Sequence, residues 1–253
     1  MLATLMQTDI VWADPEANRM RLDAMLAGLP ETDLVVLPEM FSTGFMPEPQ
    51  GRAESDGGTL RWMLSRAREY GFAMAGSIST EEEGRLYNRF CFVEPDGKVT
   101  LYDKRHLFSI SGEDRVYTPG DRRVVVEYKG MRILLQVCYD LRFPETCRNF
   151  IREDGTPDFD LAIFVASWPS RRVESWNTLL KARAIENQSF VIGVNRVGSD
   201  PECDYPGASV MLDPMGRTVA TCGTGTETCV TGELDLRLLS AFRESFPALK
   251  DIL

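Results

Sequence analysis

The apolar residues of this chain fall in short runs: ATLMQTDIVW (3–12), DLVVLPEM (33–40), FAMAGSIS (72–79), RILLQVCYD (132–140), DLAIFVASW (160–168) and SFVIGVNRV (189–197). Runs of this length, bounded by turn formers or charge, predict strands buried on both faces. Between them lie PEANRMRLDAMLAGL (15–29), GTLRWMLSRAREYG (58–71) and ESWNTLLKARAIENQ (174–188), whose one-sided apolar residues predict helices. CFVEPDGKVTLYD (91–103) and VMLDPMGRTVATC (210–222) each place a Pro two residues before a turn Gly, which predicts two hairpins. Strands alternating with helices restrict the chain to an α/β architecture. The order strand, helix, strand, helix, strand, hairpin in the first half returns from Met131 onward, without any residue-level repeat. That predicts two similar halves whose sheets pack together with helices outside. No Gly/Ser/Pro-rich linker separates them, so residues 1–253 are read as one domain.

Composition removes several function classes. A chain of 253 residues buries roughly 70–75 % of its unfolded surface and needs no staples. A net charge of −10 argues against nucleic acid or an anionic membrane as partner. No apolar stretch reaches the length of a membrane span. The N-terminal MLATLMQTDIVW carries no basic residue before its apolar residues and is interrupted by Asp9, so it does not read as a signal peptide. The cysteines at 91, 138, 147, 203, 222 and 229 form no CxxC pair and have no His at metal-ligand spacing. Reduced thiols in a cytoplasmic protein without a metal are the expectation.

In open α/β folds ligands gather at the carboxyl ends of strands. Three such ends carry reactive groups: Glu39 after DLVVLP, Lys104 after the first hairpin, and Cys138 after RILLQV. A free thiol is mostly protonated at pH 7, so a nucleophilic cysteine needs a base or a cation beside it. The chain's one histidine, His106, could supply a Cys–His pair or sit on the surface. Glu39, held between apolar residues, could act as base instead. Lys104 near Cys138 would stabilise both a thiolate and an oxyanion, and the backbone N–H of Tyr139 would be a second oxyanion donor. Packing alone could also explain a cysteine at the end of a buried strand.

LPEMFSTGF, YDKRHLF and VCYDLRFPE resemble, in order and spacing, the Glu, Lys and Cys signature segments of the nitrilase (carbon–nitrogen hydrolase) superfamily. The resemblance extends through LLKARAIENQSFVIGVNRVG and the hairpin near Asp213. It implies an α/β fold of the four-layer αββα sandwich type. Glu39 would be the general base, Lys104 the oxyanion stabiliser and Cys138 the acylated nucleophile, with Glu113 helping to order the site. No cofactor is implied.

Within the superfamily, LPEMFSTGF, VCYDLRFPE and SWP look most like the bacterial omega-amidases, which hydrolyse the terminal amide of 2-oxo dicarboxylic acid monoamides such as 2-oxoglutaramate and 2-oxosuccinamate. A small anionic amide needs a cation. Arg142 is the nearest candidate, with an ion pair to Asp140 or Glu145 as its alternative role. Phe41, Phe45 and Trp168 could wall the pocket, whereas Trp12, Trp62 and Trp176 are read as structural. A homodimer packed through the C-terminal segment is the expected assembly. The alternatives are a deaminated glutathione amidase, an N-carbamoyl amine hydrolase, a nitrilase, or a non-catalytic thiol protein pairing Cys138 with Cys147.

Overall fold

The computed structural model describes residues 1–49, 51 and 53–252. The first half runs β1 (Leu2–Gln7), α1 (Pro15–Leu26), β2 (Leu34–Val36), α2 (Gly58–Tyr70), β3 (Ala73–Glu82), β4 (Arg85–Val93) and β5 (Val99–Asp103). The second runs β6 (Val125–Tyr128), β7 (Met131–Val137), α3 (Pro144–Cys147), β8 (Leu161–Ala166), α4 (Val173–Asn187), β9 (Phe190–Asn195), β10 (Val197–Ser199), β11 (Asp204–Leu212), β12 (Thr218–Thr224), β13 (Thr228–Glu233) and α5 (Leu236–Ser245). One sheet has the order β13-β1-β2-β3-β4-β5; the other has β10-β11-β9-β8-β7-β6, with β12 paired to β11. In each half three consecutive buried strands are parallel: β1, β2 and β3, then β7, β8 and β9.

The period-2 alternation of side chains builds the layers. Leu5, Leu34, Val36, Ala75 and Phe92 face Ile133, Leu135, Ile163, Val165 and Ile192 in the core between the sheets. Their neighbours Val35, Leu37 and Met74 point the other way, onto Leu22 and Leu26 of α1 and Met63 and Ala67 of α2. Leu134, Ala162, Phe164 and Val191 meet Trp176, Leu180 and Ala184 of α4. Both sheet faces are therefore dry, which is why the strands read as near-continuous apolar runs. The result is the αββα sandwich.

Element ends differ from expectation where side chains capture the backbone. The first strand stops at Gln7 rather than 12, because the Asn18 amide takes both Val11 backbone groups, accepting from its N–H and donating to its C=O at 2.8 Å. The second stops at Val36 ahead of Pro38, which has no N–H to give. Both hairpins form, and β3 extends the first into a three-strand meander. Among the described residues no helix is long and apolar enough to cross a membrane.

Candidate active site

Strand ends from both sheets meet at a cavity of about 520 Å³. After β2, Leu37 N–H still reaches Ala75 O at 2.7 Å, then the chain turns through Met40, whose φ is 45°. Gly76 permits this approach: a Cβ there would lie 2.9 Å from Leu37 Cβ and 2.9 Å from the Phe41 ring. The turn aims Glu39 inward, with no solvent exposure.

Glu39 Oε1 accepts from Lys104 Nζ at 2.9 Å and Asn88 Nδ2 at 2.8 Å, while Oε2 accepts from Ser167 N–H at 2.8 Å. Lys104, at the end of β5, also donates to Glu113 at 2.8 and 3.1 Å. Asn88 Nδ2 donates to Glu113 Oε1 at 3.0 Å, and Phe108 N–H to Glu113 Oε2 at 2.6 Å. Two carboxylates thus enclose one ammonium in a dry setting. Burial works against the Lys104 charge, but Glu113 and Glu39 outweigh it and hold the ammonium well above its ordinary pKa. Burial raises the Glu113 carboxyl; Lys104 opposes that rise and Glu39 adds to it.

Cys138 leaves β7 with φ at 46°, a left-handed conformation that costs a non-glycine residue about 1–3 kcal/mol unless its surroundings enforce it. Its thiol shares the cavity with the Glu39 carboxylate. Burial and then the Glu39 charge push the thiol well above its ordinary pKa, with Lys104 pulling the other way. The resting sulfur is therefore protonated, in the electrostatic field of the acid that could remove its proton.

Phe45, Tyr139, Arg142 and Trp168 line the cavity as expected. The Phe45 ring lies 5.3 Å from Lys104 Nζ. The Arg142 guanidinium lies over Trp168 at 4.8 Å, and Arg172 lies over Phe108 at 5.1 Å. Neither arginine forms an ion pair among the described residues. The ion-pair alternatives for Arg142 fail: Asp140 is wholly buried and already bonded to Tyr102, His106 and Val137, and among the described residues Glu145 forms no ion pair with Arg142. Phe41 departs from expectation. Its N–H still donates to Ser77 O at 3.3 Å, so the ring falls on the helix-facing side of the sheet, 6.1 Å from Trp62. Trp12 departs in the other direction and lines the cavity. His106 sits on Asp140 with its ring stacked on Phe143, and Cys147 is buried against Gln136 and Asp140. Asn88, Asp140, Ser167 and Arg172 were missed; the only sequence signal for Asn88 is a polar residue inside the apolar strand LYNRFCFV.

The sequence pattern of the Carbon-nitrogen hydrolase family matches residues 2–244. The chain belongs to that family. This carbon–nitrogen hydrolase is 44 % identical over 249 residues to omega-amidase YafV of Escherichia coli strain K12, covering 98 % of this chain and 95 % of that one. It is 32 % identical over 252 residues to the 2-oxoglutaramate amidase of Bacillus subtilis strain 168, with the same coverage. The crystal structure of XC1258 from Xanthomonas campestris, a CN-hydrolase superfamily protein with an arsenic adduct in its active site, superposes with a TM-score of 0.97 at 43 % identity, covering 100 % of this chain and 97 % of that one. The αββα sandwich is the nitrilase fold, and the hydrolase acts on carbon–nitrogen bonds of amides other than peptides.

Proposed function

We propose that the enzyme is an omega-amidase that hydrolyses the terminal amide of 2-oxo dicarboxylic acid monoamides, with Cys138 as nucleophile. The observation that carries the substrate class is the Arg142 guanidinium, laid over Trp168 in the same cavity as the thiol and engaged by no carboxylate among the described residues. A cation held by a ring instead of an acid keeps its donors for a ligand. The names of the Escherichia coli and Bacillus subtilis relatives agree with this reading.

In the cycle, Glu39 takes the thiol proton as the Cys138 sulfur attacks the amide carbon. The oxyanion is stabilised by Lys104 Nζ and the Tyr139 N–H. The amide C–N bond breaks, Glu39 returns the proton to the leaving nitrogen, and ammonia departs from a Cys138 thioester. Water, activated by Glu39, then adds to the thioester and releases the 2-oxo acid and the thiol. Lys104 keeps its proton throughout, because Glu113 and Glu39 stabilise the ammonium. Each atom is accounted for without a cofactor. A cytoplasmic homodimer completes the reading; the exposed Leu238 and Phe246 at the C-terminal end are the apolar residues such an assembly would cover.

The test is ammonia release from 2-oxoglutaramate by the parent beside Cys138→Ala. Release by the parent alone supports nucleophile and substrate together. No release by the parent overturns the substrate, and equal release by both overturns the nucleophile.

A further inference from the structure

Asp140 is a buried carboxylate that the cycle above does not use. It has no solvent exposure and no Lys or Arg partner among the described residues. Oδ2 accepts from Val137 N–H at 3.0 Å and Tyr102 Oη at 2.8 Å; Oδ1 accepts from His106 N–H at 2.9 Å and lies 2.8 Å from His106 Nδ1. Val137 precedes the nucleophile. Tyr102 and His106 stand two residues before and two after Lys104. One carboxylate therefore ties the turn after β5 to the turn after β7, and these belong to different sheets.

A local role accounts for part of this. An acid in the third position of a helical turn ordinarily bonds the backbone N–H ahead of that turn, which is the Val137 contact. The remaining donors come from 34 and 38 residues away, from the segment that carries Lys104. A neutral residue could cap the turn without burying an anion close to a sulfur that must itself become anionic. The retained charge instead strengthens bonds to the other sheet.

We propose that Asp140 is a positioning residue that sets the spacing between the Lys104 ammonium and the Cys138 sulfur by holding both turns on one carboxylate. The proposal takes the roles of Lys104 and Cys138 from the reading above. Asp140 touches neither substrate nor sulfur; it acts through where it puts the two groups.

The test compares Asp140→Asn, Tyr102→Phe and the double variant by kcat and KM, per thiol titrated with iodoacetamide, and by the pH midpoint of Cys138 alkylation. A misplacement on the order of 1 Å costs about 100-fold in rate. Asp140→Asn is therefore expected to lose about 100-fold in kcat with KM changed by less than about threefold. Tyr102→Phe, which keeps every charge, loses less, and the double variant loses no more than Asp140→Asn because both act through one carboxylate.

The alkylation midpoint separates positioning from charge. Glu39, Lys104 and Glu113 face the sulfur, with Arg172 also within electrostatic reach of it. Removing the Asp140 charge would by itself lower the midpoint. Moving Lys104 away raises it, so the expected shift is upward in both single variants. A downward or absent shift, additive losses, or parent-like kcat per titrated thiol would overturn the proposal. If Asp140→Asn does not fold, Tyr102→Phe decides. If the parent hydrolyses no omega-amide, the functional reading fails separately, and the midpoint alone decides the role of Asp140.

Discussion

Lys104 Nζ lies 2.8 Å from Glu113 Oε2, and both side chains are wholly out of solvent. Because Glu39 also bonds this ammonium, Glu113 lets Lys104 stay charged without claiming all of Glu39. Glu113→Gln keeps the shape and removes that share. Its kcat is expected to fall about 10²-fold, similar to losing one preorganised oxyanion donor. Stability falls by about 1.5–3 kcal/mol, the usual worth of a hydrogen bond to a charged group. Steady-state kinetics beside urea unfolding measure both; parent-like kcat would remove Glu113 from the site.

Asn88 bonds Glu39 and Glu113 through one amide nitrogen. Asn88→Asp replaces a shared donor with a third carboxylate beside two others. The variant is expected to lose at least about 10²-fold in kcat at pH 8 and to recover part of it at lower pH, where one carboxyl takes up a proton. A flat pH profile would contradict this account.

Arg142→Ala should act on the charged end of the substrate. A lost bond between charged groups of about 1.5–3 kcal/mol corresponds to roughly 10–150-fold in kcat/KM for 2-oxoglutaramate. An uncharged amide of similar length should lose much less. Equal losses on both substrates would show that Arg142 shapes the pocket without reading charge.

Gly76→Ala tests the turn that aims Glu39. The added Cβ meets Leu37 Cβ and the Phe41 ring at 2.9 Å, closer than real contacts allow. Overpacking of this kind costs about 1–3 kcal/mol. Because the displaced residues flank Glu39, kcat should fall by more than the loss of folded protein explains, as read from activity per titrated thiol.

Alkali should unfold the protein through its thiols. Burial pushes Cys91 and Cys147 up to about 12, and burial with the neighbouring Cys229 does the same to Cys222, from an ordinary value near 9. A folded-state pKa above the unfolded value contributes stability that is intact below pH 9 and lost as pH rises toward 12, since the unfolded chain releases those protons first. The urea midpoint should fall between pH 8 and pH 10.5, and Cys222→Ala should flatten the fall.

How far the sequence reaches depends on whether a feature is local. Glu39, Lys104 and Cys138 were legible because each ends a strand, and strand ends are written in the alternation of apolar runs. Phe45 and Phe41 could not be told apart, because the left-handed turn at Met40 and the sheet contact of Phe41 decide which ring faces the cavity. Arg142 looked paired with its chain neighbours, whereas Asp140 is occupied by residues that only sheet packing brings near. Asn88 reads as a blemish in a strand until the two glutamates converge on it. The same holds for Trp12, whose place depends on where the chain goes after Asn18 takes hold of Val11.

Glu39 and Lys104 follow strands of one sheet, and Cys138 follows a strand of the other. Neither half of the chain therefore carries a reactive centre of its own. The first half by itself carries Glu39, Lys104 and Glu113 but no Cys138, and its sheet is closed only by β13 from the far end of the chain. A separated second half holds an ordinary, unassisted thiol. In the proposed cycle the three groups therefore act only when both sheets are in place, and the pairing of β13 with β1 makes that wait on the end of the chain.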